Sequence, residues 1–404
     1  MRNRLTGLLL VVVLATGVFL AGYGAGQRHA VAGPADDQGF DLLRQLLVHV
    51  RRDFLNPAPE SQKLFDGAAK GMLEALGDPY TRYMAPSVYK EFSSNTQGFF
   101  FGIGIYIDIR SEHLIVVQPI EGTPAFKAGL RAGDRIRTIN GVATDGMSLQ
   151  EAVTRIRGPA GTKVTLKLGR SDQTLDVEIT RARIDVITVQ GPGGLDEATR
   201  KQLTAEHIGY VRILTFNEQT ARESLAEIDR QISGGARGLL IDLRSNGGGL
   251  LDICIQVADR LIESGKPILH IVAKDGSRTT ERARSGAKVT VPIVVLVNEY
   301  SASASEILTG ALKDSSGAII VGQKTFGKGV IQSVYSLPGG GGAAITTAKY
   351  LTPADHDIHG KGITPDVAAG DKLEGKTEAD IKKIEAVQLA RAIDALKQRI
   401  AQRR

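Results

Sequence analysis

Residues 238–250 read GLLIDLRSNGGGL and residues 292–306 read PIVVLVNEYSASASE, and the pattern these two stretches share decides the fold. Each starts with an unbroken apolar run of strand length, turns through small and polar residues, and opens an amphipathic helix, at 250–262 and 303–312. A strand facing water on one side alternates polar and apolar residues, whereas an unbroken run is buried on both faces. Residues 210–213 followed by a helical 220–232, and a further apolar strand at 318–321, extend the alternation. Buried strands linked by crossover helices imply an α/β sheet whose reactive groups gather at the carboxyl ends of its strands.

Outward from this core, residues 96–183 change character. Short strands at 102–109, 113–117 and 163–168 surround two helical pieces, the better of which begins where Ser148 and Glu151 make a capping box. Leu149, Ala152, Val153 and Ile156 then give that helix an apolar face. The pattern predicts a small β-rich domain at 96–183, between a helical segment at 36–95 and the core at 184–370. In the helical segment Phe40, Leu43, Leu46 and Leu47 share one face and Leu64, Ala68, Met72 and Leu76 another, with a break at Pro57 and Pro59. The closing helix, 376–404, sets Ile381, Ile384, Leu389, Ile393, Leu396 and Ile400 at helical spacing, and is expected to pack on the N-terminal helices or on a second subunit.

A chain of 404 residues, 42% apolar and 23% charged, is folded and too long for one ordinary core. Residues 5–27 carry no charge and follow Arg2 and Arg4, the arrangement of a secretory leader. As a helix they would span roughly 34 Å at about 1.5 Å per residue, so a bilayer anchor fits as well as a leader cleaved near Ala30-Val31-Ala32. Segment 1–32 therefore predicts export, to the periplasm or to the outer face of the inner membrane. The net charge of +6 falls to +3 once Arg2, Arg4 and Arg28 are set aside, too mild and unclustered for nucleic acid. Cys254 is the only cysteine, so no internal disulfide forms, and its apolar helical setting does not suit a nucleophile.

Two turns carry the chemistry. Gly247, Gly248 and Gly249 permit close backbone approach and can aim amides at an anion, although a tight turn or a phosphate cradle fits the same residues. Ser301, Ser303 and Ser305 sit where a helix begins, so a hydroxyl there meets the positive end of its dipole; Ser303 and Glu306 also fit a plain capping box. None of the seven histidines lies in a recognisable triad motif, which gives a Ser-His-Asp hydrolase little support, and a lysine can serve as base instead. Lysine needs burial to lower its pKa from about 10.4. Lys328, between Gly327 and Gly329, is such a candidate, or else an exposed turn residue; Ser285-Gly-Ala-Lys288 is a weaker Ser-x-x-Lys match.

Residues 298–308, NEYSASASEIL, followed by 321–332, VGQKTFGKGVIQ, resemble the nucleophile and base segments of the carboxyl-terminal processing, or tail-specific, proteases in order and spacing. The resemblance extends to LGDPYT at 76–81, to GIGI at 102–105 and AGLRAGDRIRTING at 128–141, which look like a PDZ domain, to DLRSNGGGL at 242–250, and to GITPD at 362–366. It implies a crotonase/ClpP-like α/β catalytic core with an inserted PDZ domain and helical terminal segments. It implies Ser303 as nucleophile, Lys328 as general base, Gln332 as the group orienting the lysine, and the amides of Gly248 and Ala304 as oxyanion donors. Gly102, Ile103, Gly104 and Ile105 would receive a substrate's terminal carboxylate, and Arg157 would relay that binding to the core, or else is a solvated helix-end arginine. Two departures stand out: Gly247 replaces the usual proline, and Ala354-Asp355-His356 follows Pro353 where a glycine is usual.

The resemblance further implies a serine endopeptidase acting on extended C-terminal tails without metal or organic cofactor. The expected partners are substrate tails, an adaptor protein, and further copies in a homodimer or higher oligomer. An acyl-CoA enzyme of the crotonase type and a non-catalytic binding protein are the rival classes; Ser303, Lys328 and Gln332 together speak against both.

Overall fold

The computed structural model describes residues 34–171, 173–285 and 289–403. The leader reading at 1–32 and the lysine of the Ser285–Lys288 match lie outside the described residues.

The described residues open with α1 (Pro34–Asp53) and α2 (Ser61–Glu74), separated at Pro57 and Pro59, whose rings remove donors from the helix ladder. No residue of α2 is buried, and Phe40, Leu43 and Leu46 of α1 are exposed. Strand β1 (Arg82–Met84) and helix α3 (Pro86–Thr96) lead into the inserted domain.

That domain hangs on a two-stranded neck. Strand β2 (Phe99–Gly102) enters it; β3 (Ile105–Arg110), β4 (His113–Pro119), α4 (Pro124–Lys127), β5 (Arg135–Ile139), β6 (Val142–Ala143), α5 (Leu149–Ile156), β7 (Lys163–Arg170) and β8 (Gln173–Thr180) form its body; β9 (Ala182–Asp185) leaves it beside β2. The sheet order is β3-β4-β5-β7-β8, around a core that includes Val116, Ile136, Leu166 and Leu168. The Ser148 hydroxyl caps α5 by accepting the Glu151 N–H at 3.2 Å, as its spacing predicts.

After β10 (Val189–Gln190) the core unrolls as α6 (Glu197–Ala205), β11 (Ile208–Ile213), α7 (Thr220–Ser233), β12 (Gly238–Asp242), α8 (Leu251–Leu261), β13 (Pro267–Ala273), β14 (Arg278–Arg282), β15 (Ile293–Val297), α9 (Ala304–Ser316), β16 (Ile319–Gly322), β17 (Val330–Ser336), β18 (Gly342–Leu351), β19 (Val367–Ala368) and α10 (Glu378–Ala401). The central sheet runs β10-β11-β12-β15-β16-β19, parallel from β11 to β19, and every residue of β12 and β15 is buried. Helices α7, α8 and α9 cover one face. A second sheet, β1-β18-β13-β14 with β17 beside β18, brings β1 from the N-terminal segment onto the core.

Helix α10 corrects one expectation. Its apolar face packs on the central sheet and not on the N-terminal helices: Leu389, Ala392, Ile393 and Leu396 lie against Tyr210, Leu240, Val294 and Leu296. The physical reason is that a parallel sheet has two apolar faces, and α6 leaves most of the second uncovered.

Candidate active site

The two turns that the sequence singles out meet. Ala302 N–H donates to the Asn246 carbonyl at 3.0 Å, the Ser305 hydroxyl donates to the same oxygen at 2.9 Å, and Asn298 Oδ1 accepts the Ser245 N–H at 2.8 Å. Ser303 sits at the N-terminus of α9 with φ 54° and ψ −117°, a region that side-chain-bearing residues seldom occupy. Such strain persists only where the surroundings dictate it, and it clusters at functional sites. Opposite it is Gly248, where a Cβ would stand 2.8 Å from Ser303 Cβ and 2.9 Å from Ala304 N; only glycine fits.

Lys328 is not an exposed turn residue: it is 3% exposed. Its Nζ lies 4.9 Å from the centre of the Tyr80 ring and donates to Gln332 Oε1 at 3.0 Å, and Gln332 Nε2 in turn donates to the Tyr80 carbonyl. Burial, and after it the charge of Arg82, lower the Lys328 pKa to about 8, against the opposing pull of Asp78 and Glu306. The Nζ hydrogen bond goes to Gln332, and the Ser303 hydroxyl is not among its partners.

What ties base to nucleophile is a clamp on their main chains. The fully buried Glu306 carboxylate accepts the N–H of Ser303 at 3.0 Å, of Gly327 at 2.7 Å and of Lys328 at 2.8 Å, and the Thr325 hydroxyl at 2.5 Å. Burial raises the Glu306 pKa while these four donors pull it down. The Tyr350 hydroxyl reaches both the Ser303 carbonyl, at 3.1 Å, and the Lys328 carbonyl, at 2.9 Å. Sequence reasoning met Glu306 only as half of a capping box and missed Tyr350, which lies 47 residues from Ser303 and carries no local signal.

The glycine turn departs from expectation in one respect. The Gly248 N–H is already donated, to Asn246 Oδ1 at 2.8 Å, because the asparagine side chain folds back over its own turn. Phe216 N–H donates to the Gly248 carbonyl at 3.0 Å and Leu250 N–H to the Phe216 carbonyl at 2.7 Å, which pairs Phe216 with Gly249 as in a parallel ladder. In that pairing the N–H of Gly249 points away from Phe216. Ala304 N–H, first in α9, has no acceptor within the helix.

In the inserted domain, Ile103 is buried and its carbonyl accepts the Ala125 N–H, while the Gly104 carbonyl accepts the Ile120 N–H, each at 2.9 Å. Gly104 has φ +80° and a Cβ there would lie 2.4 Å from Thr123, so the loop at 102–105 is pinned against the start of α4. Ile105 then enters β3, which packs beside α5. Arg157 is no solvated arginine: it ion-pairs with Glu91 of α3, and its guanidinium carbon stands 4.7 Å over the Phe100 ring. Cys254 lies buried under α9, with its thiol on the Ala304 carbonyl, and burial pushes its pKa up. Among the described residues no three His, Cys, Asp or Glu side chains converge as a metal site requires.

Known proteins are similar to this chain in sequence and fold. Residues 207–369 match peptidase family S41, residues 115–170 a PDZ domain, and residues 37–87 the N-terminal domain of the activating protease CtpB. The carboxy-terminal processing protease CtpA of Bacillus subtilis is 38% identical over 89% of this chain and 75% of its own length. The carboxyl-terminal-processing protease of Synechocystis is 39% identical over 81% of this chain and 76% of its own. A putative S41 protease from Bacteroides fragilis, at 12% identity and a TM-score of 0.54, shares the fold over 89% of this chain and 97% of its own. The chain therefore belongs to peptidase family S41, as a carboxyl-terminal processing serine peptidase with a PDZ domain.

Proposed function

We propose that this peptidase cuts proteins near extended C-terminal tails with a Ser303/Lys328 pair on a core of the crotonase type. The observation that carries the reading is a buried lysine with its pKa lowered to about 8, clamped through Glu306 and Tyr350 to a strained serine at a helix N-terminus. Neutral Lys328 takes the Ser303 proton as the oxygen attacks the scissile carbonyl. The resulting ammonium returns that proton to the leaving amine as the C–N bond breaks, and Lys328 then deprotonates the water that releases the acyl group. For the first step Nζ shares itself between Gln332 and the serine hydroxyl, a shift of side chain that substrate binding accompanies.

Ala304 N–H is one oxyanion donor on this reading. With Gly248 N–H taken by Asn246, Gly249 N–H is the second, and Gly248 serves by its missing side chain. Extended tails add to β3 as a further strand, their carboxylate at the Gly102, Ile103, Gly104 and Ile105 loop. The Arg157–Glu91 pair joins that domain to α3, and α3 follows directly on β1, which carries Arg82 beside the base. Arg157→Ala is expected to reduce kcat on a tailed peptide several-fold while leaving tail affinity for the domain unchanged; equal loss of affinity and turnover would contradict a relay.

Phe40, Leu43, Leu47 and Val50 repeat at the a and d spacing of a two-helix seam along α1, which supports a homodimer through that helix, testable by light scattering of Leu43→Asp. An adaptor protein and an exported, periplasmic or membrane-anchored location complete the reading; N-terminal sequencing of the mature protein tests whether segment 1–32 is retained. The function itself is tested by hydrolysis of unfolded casein. Wild type is expected to cleave it and folded Ser303→Ala to be inert; equal cleavage by both removes Ser303 from the mechanism.

A further inference from the structure

On the α10 side of the central sheet lies a buried polar network that the mechanism above does not use. Tyr210, Asp242, Arg244 and Gln388 are each no more than 3% exposed. Arg244 Nε donates to Asp242 Oδ1 at 3.0 Å and its Nη2 to Oδ2 at 2.7 Å, and the Tyr210 hydroxyl donates to the same Oδ2 at 2.8 Å. Burial works to raise the Asp242 pKa, and the Arg244 charge and hydrogen bonds overcome it and hold the carboxyl below its usual range. The third arm of the guanidinium reaches α10: Nη1 donates to the Glu385 carbonyl at 2.7 Å and stands 3.4 Å from Gln388 Oε1, while Gln388 Nε2 donates to the Ala369 carbonyl at 3.3 Å.

A buried ion pair is weak evidence for stability, since apolar residues of similar volume often serve as well. This one occupies a telling place. Arg244 lies two residues before Asn246, whose side chain holds the Ile213 carbonyl and the Gly248 N–H of the glycine turn. The nucleophile turn is braced from the same side, where Glu299 Oε1 accepts the Leu373 N–H at 2.6 Å and the Glu374 N–H at 3.2 Å. Both catalytic turns are thus tied to the segment that leads into and forms α10. Only a planar fork holds a carboxylate and a helix carbonyl at once; the point charge of a lysine does not.

We infer that Arg244 is a positioning residue for acyl transfer: held by Asp242, its guanidinium grips the Glu385 carbonyl and Gln388 of α10, and so fixes the turn at 246–249 opposite Ser303. The C-terminal helix is then a brace for the oxyanion turn as well as a cover for the sheet. The inference rests on the serine peptidase reading above.

The experiment compares steady-state kinetics on one tailed peptide for the full chain and five variants. Gln388→Met, which fills the same space but removes both hydrogen bonds, is expected to lower kcat roughly 3- to 10-fold with KM unchanged, because an oxyanion donor acts in the transition state alone. The midpoint of its pH–rate profile stays at the wild-type value, since Lys328 is untouched. Gln388→Glu, which keeps an acceptor for Arg244, recovers most of the loss. Arg244→Lys lowers kcat further, and where it fails to fold Gln388→Met decides. Leu396→Ala, which opens the apolar side of α10, lowers the melting temperature but keeps kcat when assayed well below it. Wild-type kcat in Gln388→Met, or an equal fall of kcat in Leu396→Ala, overturns the positioning role, and so does a pH midpoint that moves with kcat. Activity retained by Ser303→Ala overturns the underlying peptidase reading instead, so the two failures are told apart.

Discussion

Replacing Lys328 by methionine is expected to lower kcat/KM on the order of 10²- to 10⁴-fold, the range that a positioned general base supplies, and at neutral pH to leave the fold as stable as before or more so. The two effects share a cause. Burial holds the Lys328 pKa near 8 instead of its ordinary value, so at neutral pH the folded protein carries an ammonium in a setting that disfavours charge, whereas the unfolded chain carries it in water. A pKa depressed from 10.5 to about 8 corresponds to roughly 3 kcal/mol of destabilisation. Its pH dependence follows from proton counting. Below pH 8 both states carry the proton and the penalty is complete; between 8 and 10.5 the unfolded state binds more protons, so stability rises with pH and the penalty fades. Methionine cannot carry the charge and removes the penalty, at the expense of the hydrogen bond to Gln332. Thermal unfolding of both proteins from pH 7 to pH 10 checks this: the advantage of the methionine variant shrinks as pH rises. A mutant far less stable than wild type at pH 7 contradicts it.

Glu306→Gln is expected to damage stability and turnover together, in contrast to Lys328→Met. Each carboxylate oxygen accepts two donors, from Thr325 and Gly327 on one side and from Ser303 and Lys328 on the other. An amide can serve one pair, but it must turn its NH₂ toward the other, leaving two buried donors facing a donor. At about 1–3 kcal/mol for each unsatisfied buried group, the cost is roughly 2–6 kcal/mol. Because the Ser303 and Lys328 main chains are what the carboxylate joins, kcat should fall by at least about 10², as misplacement near 1 Å is enough to do. Denaturant unfolding and steady-state kinetics check both. A variant with normal stability and lowered kcat would mean that the glutamate acts on the chemistry alone and not as a clamp.

The fold was legible wherever period and burial agree. The runs at 238–241 and 292–297 hold no polar residue to place on a solvent face, so they admitted only a strand buried on both sides, and Asp242 follows at the carboxyl end of the first. The inserted domain was legible for a complementary reason: Ser148, Glu151 and the apolar spacing after them fix a helix start by local hydrogen bonding. The partner of α10 was not legible, because an amphipathic pattern says that a face is covered and not by what. At the site, the serine and glycine turns are visible because they are locally unusual, but Ser303 and Lys328 are nameable within them only through the resemblance of 298–308 and 321–332 to the family's segments in order and spacing. Glu306 and Tyr350 act through contacts made across 22 residues or more, to Lys328, and nothing in their neighbours announces that. The donor at the glycine turn shows the limit most sharply, since three consecutive glycines are equivalent in sequence until Asn246 claims one amide and Phe216 orients the next.

The central claim is that the neutral form of Lys328, which gains population as pH rises through about 8, draws the proton from Ser303. It is tested most directly by the rate at which an organophosphonate ester phosphonylates the serine hydroxyl with loss of its alkoxide or phenoxide, followed from pH 5 to pH 11 in wild type and in Lys328→Met. The account predicts a rate that climbs about tenfold per pH unit and levels off with a midpoint near 8, and no such rise in the methionine variant. A midpoint near the ordinary lysine value, or the same profile in both proteins, would contradict it.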